Sequence, residues 1–211
     1  MAHPNGLRLK DNAFVGLLAL TQRQAEVVDR IWAGVARHER SLERLRPVLR
    51  DWEPIGTTEA VDFETTKPCT VADAALSPVT HVVEDSGWEG DVGRRLEELA
   101  ASDGLVAYVK NQGLGFTVPY RDGGQSRSYV PDFVATFDDG HGETDRLHVL
   151  IEVSGRRDDN KLARVSGALD LWVPAVNAHG GLGRWVFAEV TDPFDVHATI
   201  RAAIATATKA R

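Results

Sequence analysis

The sequence predicts an α/β fold with a mixed central sheet flanked by helices, and three observations predict it. From Trp88 onward the segments read helix, three or four strands, helix, strand, helix. "LHVLIEVSG" (Leu147–Gly155) is nearly continuous apolar, the pattern of a central strand covered on both faces. Ahead of this core, apolar residues recur at helical period from Ala25 to Leu45, which adds an N-terminal helical extension. The chain thus divides into a helical segment at 1–50, an irregular connector at 51–86 and a main domain at 87–211.

The N-terminal helix starts at Thr21, where Thr21 and Gln24 match a capping box. Ala25, Val28, Ile31, Trp32, Val35, Leu42 and Leu45 form its apolar stripe, and Pro47 ends or kinks it. The short apolar "AFVGLLAL" (Ala13–Leu20) before it reads as a buried segment, against the alternative of a signal-like accident without a basic start or cleavage-site context. Pro54, Pro68 and Pro78 punctuate the connector, in which "AVDFETT" (Ala60–Thr66) suits a short strand.

A second helix is expected over Trp88–Ala101, with Val92, Leu96, Leu99 and Ala100 on its inner face. "LVAYVKN" (Leu105–Asn111) and "GFTVPY" (Gly115–Tyr120) have strand composition. Asp122-Gly123-Gly124 is a turn. "RSYVPDFVATF" (Arg127–Phe137) reads as one longer strand with Pro131 at an edge or bulge. After the central strand come a helix from about Asp158 to Leu171, a loop "NAHGGLG" (Asn177–Gly183), a strand "RWVFAEV" (Arg184–Val190) and a closing helix within Thr191–Thr208.

With 211 residues, 43% hydrophobic and 26% charged, the composition is that of an ordinary globular protein able to bury a sizeable core. One cysteine, Cys69, excludes an intramolecular disulfide and a cysteine-cluster zinc site, and fits a cytoplasmic location. No apolar run approaches the roughly 18 residues of a membrane span, so no membrane partner is expected. The net charge of −7 argues against indiscriminate binding to nucleic acid but allows a local basic groove and an acidic metal site.

The chemistry concentrates in "SYVPDFVATFDDGHGETDRLHVLIEVSGRRDDNKLAR" (Ser128–Arg164). Asp132 and Glu152 lie on consecutive predicted strands, and antiparallel pairing brings them side by side. Two carboxylates held close repel unless a cation lies between them. Oxygen ligands of this kind suit Mg²⁺ or Mn²⁺, with the Val153 carbonyl as a further donor. An acid inside an apolar strand is costly unless paired or metal-bound. A lysine at position 154 would share the face of Glu152, but the chain has Ser154 there. No Ser/His/Asp arrangement supports Ser154 as a nucleophile.

"VPDF…IEVSG" resembles the core of the PD-(D/E)xK nuclease superfamily, with Pro131-Asp132 as its first half and Glu152-Val153-Ser154 as its second. The blocks "VDFETTKP", "SGWEGDVGRRLEELA", "AYVKNQGLGFTVPY", "SYVPDFVATFDDG" and "WVPAVNAHGGLGRWVFAEVTDP" together resemble the C-terminal nuclease region of Type III restriction enzyme Res subunits. The resemblance runs from about Val61 to Pro193. It implies a restriction-endonuclease-like core at 87–211, Mg²⁺-dependent cleavage of double-stranded DNA, and ATPase/translocase and methyltransferase subunits as partners. A homodimer is also compatible with it.

Two departures stand out. The chain has no GxxxxGK[ST] and no Gly-Lys dipeptide, so no ATP site is expected. It resembles a nuclease piece without its motor: a fragment, a split gene product or a remnant. The missing lysine is the second departure. The resemblance allows its relocation to Lys161 on the following helix, against the competing reading of a solvated helix lysine. It also allows Glu89, in the first turn of the domain, to join the metal shell, against a glutamate placed there by the helix dipole. Arg156, Arg157 and Arg164 suit phosphate contacts, with a solvated charge run as the alternative. His179 and Gly113-Leu114-Gly115 carry no site. The rival to catalysis is a silent DNA-binding or assembly domain, and a third reading is an interaction module docking through the Thr21–Leu45 helix.

Overall fold

The computed structural model describes residues 57–59, 61–122, 125–155 and 160–209. The Thr21–Leu45 helix, Ala13–Leu20, Arg156 and Arg157 lie outside the described residues. The described part is a mixed α/β arrangement. Helix α1 (Gly87–Ser102) is followed by β3 (Leu105–Lys110), β4 (Val118–Asp122), β5 (Gln125–Tyr129), β6 (Phe133–Phe137) and β7 (Leu147–Val153). Then come α2 (Lys161–Ser166), a π-helical stretch (Gly167–Trp172), α3 (Val173–His179), β8 (Arg184–Val190) and α4 (Val196–Lys209).

The four-stranded sheet has the order β3-β6-β7-β8. β3, β6 and β7 are antiparallel neighbours, and β8 lies parallel to β7. β7 is therefore internal, as its apolar run predicts, and Leu147, Val149, Leu150 and Ile151 are fully buried. One face carries α1 and α4, whose Val92, Leu96, Leu99, Val196 and Ile200 pack with Tyr108, Phe133 and Ile151. The other face carries the β4–β5 hairpin, α2 and the π-helical stretch, packed around Leu150, Phe187, Val118, Tyr120 and Tyr129.

Three expectations need correcting. Residues 61–66 hold no strand. Within the connector, β1 (Cys69–Val71) and β2 (His81–Val83) pair instead, and Ala72 and Val82 pack into the main core. The long strand Arg127–Phe137 is two, because Val130-Pro131-Asp132 interrupts it: proline cannot donate to a ladder. β5 then pairs with β4 in a separate sheet, while β6 joins the main one. The helix expected to end near Leu171 continues through the π-helical stretch to His179, and Gly180 ends it with φ +75°.

Candidate metal and acid site

Asp132 precedes β6, and its position follows from the register. Phe133 pairs with Ile151 and Val134 with Leu150, so one further residue sets Asp132 opposite Glu152. The Val153 N–H donates to Asp132 Oδ2 at 2.7 Å, which ties the two strand ends together. Val153 was expected to offer its carbonyl to a metal; the contact it makes here is this N–H. Asn111 braces the approach: its N–H donates to the Asp132 carbonyl at 2.8 Å and its Nδ2 to the carbonyls of Phe116 and Pro131.

Glu152 is 6% exposed and shares the face of Leu150. Burial, then the Asp132 charge, pushes its pKa up to about 8, against the opposing pull of Arg164 and Lys110. Arg164 Nη1 stands 3.5 Å from its Oε1. Its Oε2 is buried with no hydrogen-bond partner among the described residues, and so is Ser154 Oγ two residues on. Buried unpaired oxygens of this kind call for a water or an ion.

Among the described residues the cation nearest Asp132 is not Lys161 but Lys110, the last residue of β3. Its Nζ lies 3.0 Å from Asp132 Oδ1 and 3.2 Å from Glu89 Oε2, and it is only 4% exposed. Burial works against its charge, but Asp132 and Glu89 outweigh burial and hold its pKa above the ordinary value. Glu89 also accepts from the Asp85 N–H at 2.7 Å, and burial raises its pKa.

Lys161 instead pairs with Glu189 on β8 at 2.7 Å. Glu189 is the register partner of Glu152, so the two stand on one face of adjacent parallel strands. Arg164, expected on phosphate, is the ion-pair partner of Glu152. The short helix α2 therefore points its cations inward, at the ends of β7 and β8. The site thus brings together Asp132, Glu152, Glu89 and Arg164, adds Lys110 and Glu189, and sends Lys161 to the outer acid.

Sequence reading passed over Lys110, though one signal pointed to it. It lies two residues beyond Tyr108 on the inward phase of β3, and a buried lysine needs a carboxylate. Among the described residues no group of three or more His, Cys, Asp or Glu is arranged to hold a metal ion. A pair of carboxylates nevertheless suffices for Mg²⁺, which keeps several waters. A cleft of about 860 Å³ lies elsewhere, at the other end of the sheet beside Asp145, Arg184, Val173 and Ala203. Its lining has no cluster of acids, so the carboxylates and not the cleft mark the candidate site. No helix among the described residues is long and apolar enough to cross a membrane. No family model matches the chain, and neither a curated protein nor a solved structure matches it.

Proposed function

We propose that the chain is a metal-dependent endonuclease domain acting on double-stranded DNA, built on a restriction-endonuclease-like core. The observation that carries this reading is the pair Asp132 and Glu152, opposed across β6 and β7, with Glu152 Oε2 buried and without a hydrogen-bond partner among the described residues. The mixed sheet with helices on both faces supports the same core.

In this reading Asp132 and Glu152 hold Mg²⁺ or Mn²⁺. The ion, when bound, polarises a phosphodiester oxygen and lowers the pKa of a water. The chain's own residues prepare that chemistry. The Val153 N–H and the Lys110 ammonium each hold one Asp132 oxygen, which fixes the carboxylate's orientation. Arg164 holds Glu152 Oε1 and leaves Oε2 for the ion. Buried aromatic and aliphatic side chains beneath the acids limit water and strengthen each charge interaction. ATPase/translocase and methyltransferase subunits are the partners this reading implies, in the cytoplasm.

Nicking of supercoiled plasmid tests it: wild type cleaves with Mg²⁺ or Mn²⁺, and Asp132→Asn and Glu152→Gln do not while folding normally. Equal activity in all three rejects it. A second reading, a silent DNA-binding or assembly domain, is favoured by one observation. Lys161 and Arg164 are both spent on internal acids and Ser154 stands where a lysine would lie. DNA binding without Glu152-dependent Mn²⁺ binding selects that reading.

A further inference from the structure

We infer that Lys110 serves as a protein-borne cation in the place a second divalent ion would take, so that the site accepts one ion only. This rests on the metal reading above and specifies its stoichiometry. The geometry is that of a bridging cation: Nζ stands 3.0 Å from Asp132 Oδ1, 3.2 Å from Glu89 Oε2 and 4.0 Å from Asp85 Oδ2. Glu89 and Lys110 are nine-tenths buried or more, so water screens their attraction little. The ammonium also lies 5.2 Å from the centroid of the Phe133 ring, which favours a cation there.

Three elements far apart in sequence set this up. α1 brings Glu89 in its first turn, β3 ends on Lys110, and the Pro131 break aims Asp132 at both. Asp132 faces two ways in consequence. Oδ1 belongs to Lys110, and Oδ2 belongs to the Val153 N–H beside Glu152. A divalent ion between Glu89 and Asp132 would meet the ammonium head-on, and like charges at such range repel strongly in a buried site. The ion is therefore confined to the Asp132–Glu152 side. Glu89, expected from the sequence to join the metal shell, is a ligand of the ammonium instead. Lys110 is a positioning residue: it acts on the ion through Asp132.

The test is the number of Mn²⁺ ions bound by the full chain, counted by calorimetry and by electron paramagnetic resonance. Wild type is expected to bind one, lost in Glu152→Gln. Glu89→Gln is expected to keep one ion with an affinity change well below about tenfold, or 1.4 kcal/mol. Lys110→Gln is expected to bind two, to lose cleavage at low Mn²⁺ and to regain it as the second seat fills. Two ions in wild type overturn the inference, and so does a loss of about tenfold or more in Glu89→Gln. A folded Lys110→Gln that still binds one overturns it too. If Lys110→Gln does not fold, the wild-type count and Glu89→Gln decide. A wild type with no Glu152-dependent ion removes the metal reading itself, a result distinct from a wrong count.

Discussion

The two ends of the sheet treat buried acids in opposite ways. At the end where β6 runs out and β7 and β8 begin, Asp139 is gripped by both terminal nitrogens of Arg184, one at 2.8 Å, with Asp145 on the same guanidinium. Those hydrogen bonds hold the Asp139 carboxyl down at about 2. At the other end Glu152 is buried beside Asp132, with one oxygen unpaired among the described residues, and its carboxyl is pushed up to about 8. The same functional group moves in opposite directions because Arg184 hydrogen-bonds both Asp139 oxygens, whereas at Glu152 burial and the Asp132 charge outweigh the Arg164 guanidinium 3.5 Å from Oε1. A stable fold has no use for the second arrangement. A site that must bind a cation does.

Breaking the satisfied end should cost the most. Arg184→Ala leaves Asp139 buried without its main partner and is expected to destabilise by about 3–5 kcal/mol, read by urea denaturation. A cost below about 1 kcal/mol would make the two ends alike. At the other end, Asp132→Asn is expected to lower metal-dependent cleavage by about a thousandfold, the several kcal/mol an ion contributes, with a smaller loss of stability than Arg184→Ala because Glu89 still pairs with the buried Lys110 ammonium.

Acid and base should then separate the ends. The folded pKa of Asp139 lies below its unfolded value of 3.8, so its contribution, about 2 kcal/mol, is complete above pH 4 and is lost as pH falls toward 2. The folded pKa of Glu152 lies above its unfolded value of 4.5. Metal-free protein therefore loses stability as pH rises from about 5 to 8, and Glu152→Gln flattens that slope. Melting curves across pH, with a chelator present, check both; a slope unchanged in Glu152→Gln refutes the second. The smallest effect is Lys161→Ala, expected to shift stability by less than about 1 kcal/mol and to leave cleavage in place. A loss as deep as that of Asp132→Asn returns Lys161 to the reaction.

What could be read from the chain alone follows the same division. β7 and β8 were legible because their residues are buried for local reasons, and Glu152 was conspicuous as a lone acid in an apolar run. The antiparallel approach of Asp132 followed from the intervening turn. The cation was not legible. Residues 89, 110 and 132 meet only after α1, β3 and β6 have packed, and no periodicity encodes that meeting. The ion pairs of Lys161 with Glu189 and of Arg164 with Glu152 were not legible for a related reason. Which way a six-residue helix points its side chains depends on the π-helical stretch behind it and on the hairpin packed against it. Pro131 was read as an edge or a bulge within one strand, whereas it sends the two halves of that apparent strand into different sheets.

Gly167 shows how finely that hairpin is seated. A methyl group there would fall 2.5 Å from Tyr120 Cβ, so the first residue of the π-helical stretch rests directly on β4. Tyr120 and Tyr129 are cross-strand neighbours of that hairpin, and Tyr129 lies under the Arg164 guanidinium that faces Glu152. A single added carbon, more than a dozen residues along the chain from Glu152, would thus be transmitted like a shim under a bearing, tilting the support on which that glutamate's Arg164 clamp rests.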